Sequence, residues 1–171
     1  MSDRGWRPAT PAEAVAPITR LGGRPCWSGA PRWPAHRGEP LEFVGQFAVQ
    51  ERLVLVFMSY AEDAESWPAE GGANAALVEP DGAVPEWVSV TADPDGPVAL
   101  GTEVLVPAGW TPGTHPVWVQ YDQTPAAAPI FVAQLASFPD ERGMITFGDG
   151  GVAYVFRSAD WSRARLLWQT S

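Results

Sequence analysis

The sequence has no lysine, a single cysteine and only two histidines among its 171 residues. A lone cysteine excludes a disulfide within the chain and also a zinc site built on cysteine pairs. No apolar run approaches the length of a membrane-spanning helix, and the first residues lack the apolar stretch of a signal peptide. We therefore expect a cytoplasmic protein that spans no membrane and uses no metal or other cofactor.

Negative charge is concentrated in the middle of the chain. Residues 53–141 contain thirteen acidic residues and no basic one, whereas the segments on either side each carry a net charge of +2. Charge of this sign repels phosphate backbones, which argues against nucleic-acid binding. It would attract a basic partner protein, although acidic residues of this kind also serve simply to solvate loops.

Proline and glycine are abundant, with eighteen and seventeen residues, which favours short strands and many turns. Thr10 and Glu13 have the spacing of a capping box and predict one short helix there. The predicted strands are Leu41–Val49, Leu53–Tyr60, Ala75–Val78, Val88–Thr91, Thr102–Val106, Val117–Tyr121, Ile130–Leu135, Met144–Phe147, Val152–Phe156 and Arg165–Gln169. The run Leu53–Tyr60 is continuously apolar, which predicts burial on both faces. The fold class is mainly β, a β-rich α+β fold with little helix.

Three short motifs occur twice in the same order. Pro25 and Trp27 match Pro116 and Trp118 at a separation of 91 residues. Phe-Val-x-Gln occurs at 43–46 and again 88 residues later, and Val-Phe-x-Ser occurs at 56–59 and again 99 residues later. This self-similarity predicts an internal duplication, with two related β modules packed into one compact domain.

The repeats suggest how the chain is organised. We expect an N-terminal segment at residues 1–18, followed by one domain at 19–171. Within that domain the first repeat covers about residues 19–60, an acidic connecting region 61–109, and the second repeat 110–169. The second repeat is longer between its glutamine and its Val-Phe motif, which predicts that Met144–Phe147 is an added strand.

The repeated residues also resemble a known family. The motif Gly22-Gly23-Arg24-Pro25-x-Trp27 resembles the YwqG-like family, and the similarity extends over about residues 19–169. The other segments that carry it are Leu41–Gln46, His115–Gln120, Ile130–Leu135, Phe147–Phe156 and Leu166–Gln169. The layout is also similar to that of the eukaryotic programmed cell death protein 2 group, some members of which act as dedicated chaperones for a ribosomal protein.

This resemblance implies a fold and, for the bacterial YwqG-like branch, no established activity. Related sequences often carry Cys-x-x-Cys pairs between the Trp and Phe motifs, a plausible zinc site. The corresponding stretches 28–40 and 121–129 contain no cysteine. His36 alone cannot complete the four ligands of a structural zinc site, so no metal is predicted.

Gln46 and Gln134 are polar residues within apolar strand patterns, so each buried amide must find hydrogen-bond partners. Each amide either fixes the Pro-Trp loop of its own repeat or lines a groove and binds an extended peptide. Gln120 and Gln169 are open to the same two interpretations. The candidate binding residues are Trp27, Gln46, Trp118, Gln120 and Gln134. The residues expected to shape the backbone are Gly22, Gly23, Pro25, Pro116, and the hairpin turn of Gly148, Asp149, Gly150 and Gly151.

Catalytic motifs are missing from the sequence. It contains no Gly-x-Ser-x-Gly, phosphate-binding loop or dinucleotide fingerprint. His115 and Asp149 could form an acid–base pair, but no nucleophile is indicated, and Asp149 suits a turn. No catalytic residue is assigned, and the sequence favours a protein that is not an enzyme without deciding the question.

The predicted function is that of a protein-binding or chaperone-like adaptor which captures an extended or basic client segment. The expected mechanism is main-chain pairing at a sheet edge, with Trp and Gln side chains lining the groove. Two alternatives stay open. One is an immunity-like or regulatory protein directed against one cognate partner, and the other is a small-molecule or sugar-binding module or an unrecognised enzyme.

Overall fold

The computed structural model describes residues 5–80, 88–89, 97–100, 103–140 and 143–171. In these ranges the chain forms strands and a single 3₁₀ turn at Glu13–Val15, which confirms the predicted β-rich fold with little helix. No helix there has the length and apolar composition needed to cross a membrane. The strands are β1 (Trp6–Pro8), β2 (Arg20–Leu21), β3 (Cys26–Trp27), β4 (Ala35–His36), β5 (Glu39–Pro40), β6 (Glu42–Val49), β7 (Arg52–Met58), β8 (Asn74–Glu79), β9 (Val88–Ser89), β10 (Leu105–Pro107), β11 (Ile130–Ala136), β12 (Phe138–Asp140), β13 (Gly143–Ile145), β14 (Val152–Arg157) and β15 (Ala164–Gln169).

Two antiparallel sheets form the body of the fold. The larger has six strands in the order β1-β10-β2-β6-β7-β8. The smaller has three strands in the order β11-β14-β15. The strands β8 and β15 therefore each end a sheet, and this position matters for the candidate site.

One face of each sheet belongs to a shared core. Because successive side chains of a strand point to opposite faces, Val54 and Val56 of β7 face this core while their neighbours face away. Ala153 and Val155 of β14 enter the same cluster from the smaller sheet. The two sheets therefore pack against each other through their inner faces.

The outer face of each sheet is covered by loops from its own half. Leu55 and Phe57 of β7 pack with Trp27 in one cluster. Tyr154 and Phe156 of β14 pack with loop residues that precede β11 in another. Strand β7 is consequently buried on both faces, as its continuous apolar run predicted.

A β-bulge occurs at the same place in both halves. The register of β6 shifts between Phe43 and Gly45, and that of β11 shifts directly after Phe131. Residues three apart face opposite sides of a regular strand, but the extra residue of a bulge returns both to one face. Phe43 and Gln46 thus share the outer face of the larger sheet, and Phe131 and Gln134 share that of the smaller.

The predicted helix and the predicted added strand are both present in modified form. Thr10 and Glu13 form the capping box: the Glu13 N–H donates to Thr10 Oγ1 at 3.3 Å, and the Thr10 N–H donates to Glu13 Oε2 at 2.9 Å. The segment that follows is one 3₁₀ turn, which Pro17 prevents from continuing. The added element is a two-stranded hairpin, β12 with β13, inserted between β11 and β14.

Two predictions from the sequence are wrong. Val117–Tyr121 is not a strand. Gly148–Gly151 includes a turn, but the turn joins β13 to β14, which lie in different sheets, so it is not a hairpin turn. Of the predicted strands at 88–91 and 102–106, three residues lie outside the described ranges, namely Val90, Thr91 and Thr102.

Candidate functional site

Gln46 is a fully buried residue whose amide is used completely within the protein. Its Oε1 accepts the main-chain N–H of Cys26 at 3.0 Å. Its Nε2 donates to the carbonyl oxygens of Ala16 at 3.3 Å and Ile18 at 2.9 Å. These contacts support the structural interpretation, in which the amide fixes the Pro-Trp loop of its own repeat.

Gln134 repeats one half of this arrangement. Its Oε1 accepts the N–H of Val117 at 2.8 Å, and Val117 lies between Pro116 and Trp118 as Cys26 lies between the first proline and tryptophan. The side chain is half-buried, and its Nε2 makes no hydrogen bond within the part of the chain that the structure describes. One half of this amide is therefore open.

The two repeated tryptophans pack on the repeated phenylalanines. Trp27 is only 1% exposed and stacks on Phe57 with ring centroids 6.2 Å apart. Trp118 is half-buried and stacks on Phe156 at 5.9 Å. Both rings thus cover the outer face of a sheet, and Trp27 is not accessible to a ligand in this structure.

A second acceptor holds the residue that follows each tryptophan. Glu79 Oε2 accepts the N–H of Ser28 at 3.3 Å, and Gln169 Oε1 accepts the N–H of Val119 at 3.2 Å. Glu79 also bonds the hydroxyl of Ser28 and the guanidinium of Arg32. Glu79 could not be found from the sequence, because it belongs to no repeated motif and lies in an acidic segment.

Gln169 and Tyr154 explain why Val117–Tyr121 forms no strand. The amide of Gln169, only 2% exposed, also accepts the N–H of Gln120 at 3.0 Å and donates to the carbonyl of Tyr121 at 2.8 Å. The Tyr154 hydroxyl accepts from Val119 at 3.0 Å and donates to the carbonyl of residue 117 at 2.8 Å. Burial raises the pKa of this hydroxyl. Side chains therefore supply the hydrogen bonds that a neighbouring strand would provide.

Gln120, the remaining candidate, also has a structural contact. Its side chain is exposed, and its Nε2 donates to the carbonyl of Thr170 at 2.7 Å. Alternate residues of the same segment leave apolar side chains in solvent, with Val117 and Tyr121 each 63% exposed. The main chain of this segment is therefore fixed by hydrogen bonds to the rest of the protein, while apolar side chains on its other side face solvent.

Four glycines of the motifs have positive φ angles, which glycine adopts without strain and other residues rarely adopt. Gly22 and Gly23 have φ angles of 70° and 71°, and a Cβ on Gly22 would lie 2.8 Å from the carbonyl oxygen of Glu103. They lead the chain from β2 into Pro25, and Pro116 occupies the matching place beside Trp118. At the turn before β14, Gly148 and Gly150 have φ angles of 60° and 69°, with Asp149 exposed at the tip and Gly151 buried.

The histidines give no support for catalysis. His115 is exposed, and its Nδ1 lies 3.0 Å from Thr114 Oγ1. Neither it nor His36 bonds an acidic residue in the described ranges. The same ranges contain no group of three or more His, Cys, Asp or Glu residues that could hold a metal ion.

A groove of about 360 Å³ runs along β8 and β15, the last strands of the two sheets. Arg165 and Glu70 form an ion pair at its side, with Nε and Oε1 3.4 Å apart. Most of the lining side chains are small or aliphatic: Ala69, Gly71, Ala75, Ala76, Leu77, Ala164 and Leu166. This groove was not predicted, because the sequence does not show which strands end a sheet.

The backbone of both strands is directed into the groove. The carbonyl of Val78 accepts from Arg32 at 3.3 Å, so Val78 turns its polar groups away from β7. The N–H of Trp168 donates to the loop carbonyl of Trp67 at 3.2 Å, away from β14. Alternate residues of a strand share a direction, so Ala76 and Leu166 also turn their N–H and C=O groups outward. Ala76 is half-buried, whereas Leu166 is only 1% exposed, so the backbone of β8 is the more accessible of the two.

The chain matches no known family model, no curated protein and no solved structure. The resemblance to the YwqG-like family therefore stays a prediction.

Proposed function

We propose that this protein binds an extended segment of a partner protein by pairing it as a strand with β8, along the groove that β8 and β15 line. The observation that carries this proposal is that both sheets end at one groove, where the half-buried Ala76 directs its backbone polar groups away from β7. Unpaired groups at a sheet edge are the template on which an added strand forms.

The small side chains along the groove favour this mode of binding. Ala75 and Ala76, both half-buried, leave the backbone of β8 open to close approach. Main-chain pairing depends little on the side chains of the added segment, so many sequences could bind. That property suits an adaptor or a chaperone, the function implied by the resemblance to the programmed cell death protein 2 group.

The charge beside the groove favours a basic segment. The loop at 61–72 leads directly into β8 and contains four acidic residues and no basic one. All four are exposed: Glu62, Asp63, Glu65 and Glu70. Only Glu70 has a cationic partner among the described residues, in Arg165. The rest would attract Lys or Arg side chains and raise the association rate.

The proposed mechanism differs from the mechanism predicted from the sequence in one respect. Pairing at a sheet edge is retained, but Trp27 and Gln46 cannot line the groove, because both are buried on the outer face of the larger sheet. Most of the side chains that line the groove are small or aliphatic, and the polar ones are Asn74, Glu70 and Arg165.

A proline substitution in the outward-facing register tests the proposal. Peptides would first be selected for binding from a library of short unstructured sequences. Ala76→Pro removes only an N–H that faces the groove and leaves the ladder with β7 intact, since proline is tolerated at such an edge position. We expect it to abolish binding of the selected peptides, while Ala30→Pro, in an exposed loop, leaves binding unchanged.

Hydrogen exchange supplies the second readout. Binding by strand addition should slow amide exchange at Ala76, and neutralising Glu62, Asp63 and Glu65 should weaken binding at low salt. The proposal is wrong if no peptide is selected, or if selected peptides bind Ala76→Pro as well as the unchanged protein without slowing exchange at Ala76 in the unchanged protein.

A further inference from the structure

The end of β6 shows which partners the outward groups of this strand need. Gln46 Nε2 donates to the carbonyls of Ala16 and Ile18, on either side of Pro17. Two residues further along, the N–H of Ala48 donates to Thr19 Oγ1 at 2.9 Å. The segment that precedes β2 therefore satisfies the Gln46 side chain with main-chain carbonyls of an Ala-Pro-Ile sequence, and the Ala48 N–H with a threonine hydroxyl.

The matching groups of β11 have no such partners. Gln134 and Ala136 correspond to Gln46 and Ala48, but Gln134 Nε2 makes no hydrogen bond within the described residues. The main-chain N–H of Gln134 donates to the carbonyl of Pro112 at 3.2 Å, which shows that this residue faces the free edge of β11. Ala136, two residues on, faces the same way, and its N–H has no partner in the described ranges.

These open groups line a pocket of about 250 Å³. The other lining residues are mostly apolar: Trp6, Trp110, Thr111, Leu135 and Val152. The rings of Trp6 and Trp110 lie 4.8 Å apart. None of the lining side chains is charged, so the pocket suits a neutral ligand or an uncharged part of a longer chain.

The amide of Gln134 has a fixed orientation. Its Oε1 accepts the N–H of Val117 at 2.8 Å. If the amide oxygen and nitrogen exchanged places, the side-chain NH2 would face the Val117 N–H, and two donors cannot bond each other. Nε2 therefore offers hydrogen-bond donors only, as Nε2 of Gln46 does. The ligand must supply acceptors, such as main-chain carbonyls.

We propose that this pocket binds a prolyl peptide segment, with the carbonyls on either side of the proline accepting from Gln134 Nε2 and the Ala136 N–H. The model for the ligand is the protein's own Ala16-Pro17-Ile18, which satisfies the equivalent amide of the first half. The half-buried ring of Trp110 supplies the aromatic surface, and Trp6, only 1% exposed, packs against it. Prolyl segments dock on such surfaces because their extended conformation is formed before binding. The site is independent of the proposed groove, since β11 and β15 are opposite edges of the smaller sheet.

Titration with the blocked tripeptide acetyl-Ala-Pro-Ile-amide tests this site in the full chain labelled with ¹⁵N. We expect saturable shifts of the Gln134 side-chain amide signals and of the Trp110 indole signal. Gln134→Glu keeps an acceptor for Val117 but removes both donors, and it should weaken binding about tenfold or more. Gln120→Glu adds the same charge at an exposed residue outside the pocket and should leave binding unchanged.

A second variant closes the pocket instead of changing its chemistry. Ala136 is exposed at the pocket mouth, so Ala136→Trp should fold normally and abolish the shifts. Ala30→Trp, at another exposed position, should fold normally and leave the shifts unchanged. The proposal is overturned by the absence of saturable shifts at Gln134, by unchanged binding to Gln134→Glu, or by equal binding of acetyl-Ala-Ala-Ile-amide.

Discussion

Glu79 and Gln169 make the same contact in the two halves of the molecule: each accepts the main-chain N–H of the residue that follows the repeated tryptophan. The donor is Ser28 in the first half and Val119 in the second. One acceptor is a carboxylate and the other an amide, so the contact recurs although the residue type does not. This recurrence supports the prediction of two related β modules, and common ancestry of the two halves stays a prediction.

Removing the Gln169 amide should destabilise the second half. Gln169→Leu deletes three hydrogen bonds to the main chain of residues 119–121 and keeps the buried volume. Unpaired main-chain groups near the surface cost less than buried ones, so we expect a loss of about 2–3 kcal/mol in the free energy of unfolding. Urea unfolding measures it. Gln120→Ala, which removes one exposed bond, is the control and should cost less than about 0.5 kcal/mol.

The strands show which secondary structure could be predicted from the sequence and which could not. Apolar runs predicted β6, β7, β11, β14 and β15 to within two residues at each end, because a strand buried on one or both faces carries that burial in its own sequence. Val117–Tyr121 is also a mostly apolar run but forms no strand. Its hydrogen bonds come from the side chains of Tyr154 and Gln169, which are distant in sequence, and an apolar run alone cannot show them.

The roles of the candidate site residues could likewise be predicted from the sequence only in part. The repeat identified Gln46 and Gln134 as polar residues with a recurring task, and the structure brings each to its own Pro-Trp loop. The sequence could not show that one amide is saturated while the other is open, because this depends on Ala16 and Ile18, which the second half does not match. Nor could it show that β8 and β15 end their sheets.

Gly45 and Ala133 occupy matching positions in the two bulges but differ in the space around them. A Cβ on Gly45 would lie 2.7 Å from the carbonyl oxygen of Arg20 and 2.8 Å from Cδ2 of Leu21, because β2 pairs there. We expect Gly45→Ala to lower the free energy of unfolding by about 2 kcal/mol through overpacking. Gly29, with open space around its Cα, is the control position. Equal stability of Gly45→Ala and Gly29→Ala would contradict this account of β2.

Arg20 is a buried cation held by carbonyl groups. Its guanidinium donates to the main chain of Ala16, Gly22 and Arg24, and burial lowers its pKa. The three bonds come from three separate nitrogens of the guanidinium, and a lysine ammonium, whose donors all lie on one nitrogen, cannot match their positions. Arg20→Lys should therefore cost about 2–4 kcal/mol in urea unfolding, since bonds from charged donors are strong. Arg24→Lys is the matched control, with a cost below about 0.5 kcal/mol. A similar cost for both variants would show that the carbonyl contacts of Arg20 do not stabilise the fold.

The N-terminal turn should depend on pH through Glu13. Its carboxylate binds the Arg7 guanidinium through two bonds of 2.7 and 2.9 Å and accepts the N–H of Thr10, which together lower its pKa from 4.5 to about 2. Because the folded-state pKa is the lower one, the stabilisation is complete above about pH 4.5 and is lost as pH falls towards 2. NMR titration of the carboxyl group measures the shift. The stabilities of the unchanged protein and Glu13→Gln should converge at low pH, and a constant difference between them would contradict this assignment.

The same substitution should destabilise the protein strongly at one of the two repeated glutamines and hardly at all at the other. Gln46→Glu replaces the donor that Ala16 and Ile18 share with an acceptor, inside a fully buried site, and we expect a loss of about 3 kcal/mol or more. Burial favours the protonated carboxyl, so this loss should shrink as pH is lowered. Gln134→Glu retains the only bond that its side chain makes in the described residues, to Val117, and should change stability by less than about 0.5 kcal/mol. Urea unfolding of both variants decides the matter: similar losses would mean that the Gln134 Nε2 donors are already satisfied, and the open half of this amide would no longer distinguish the second repeat from the first.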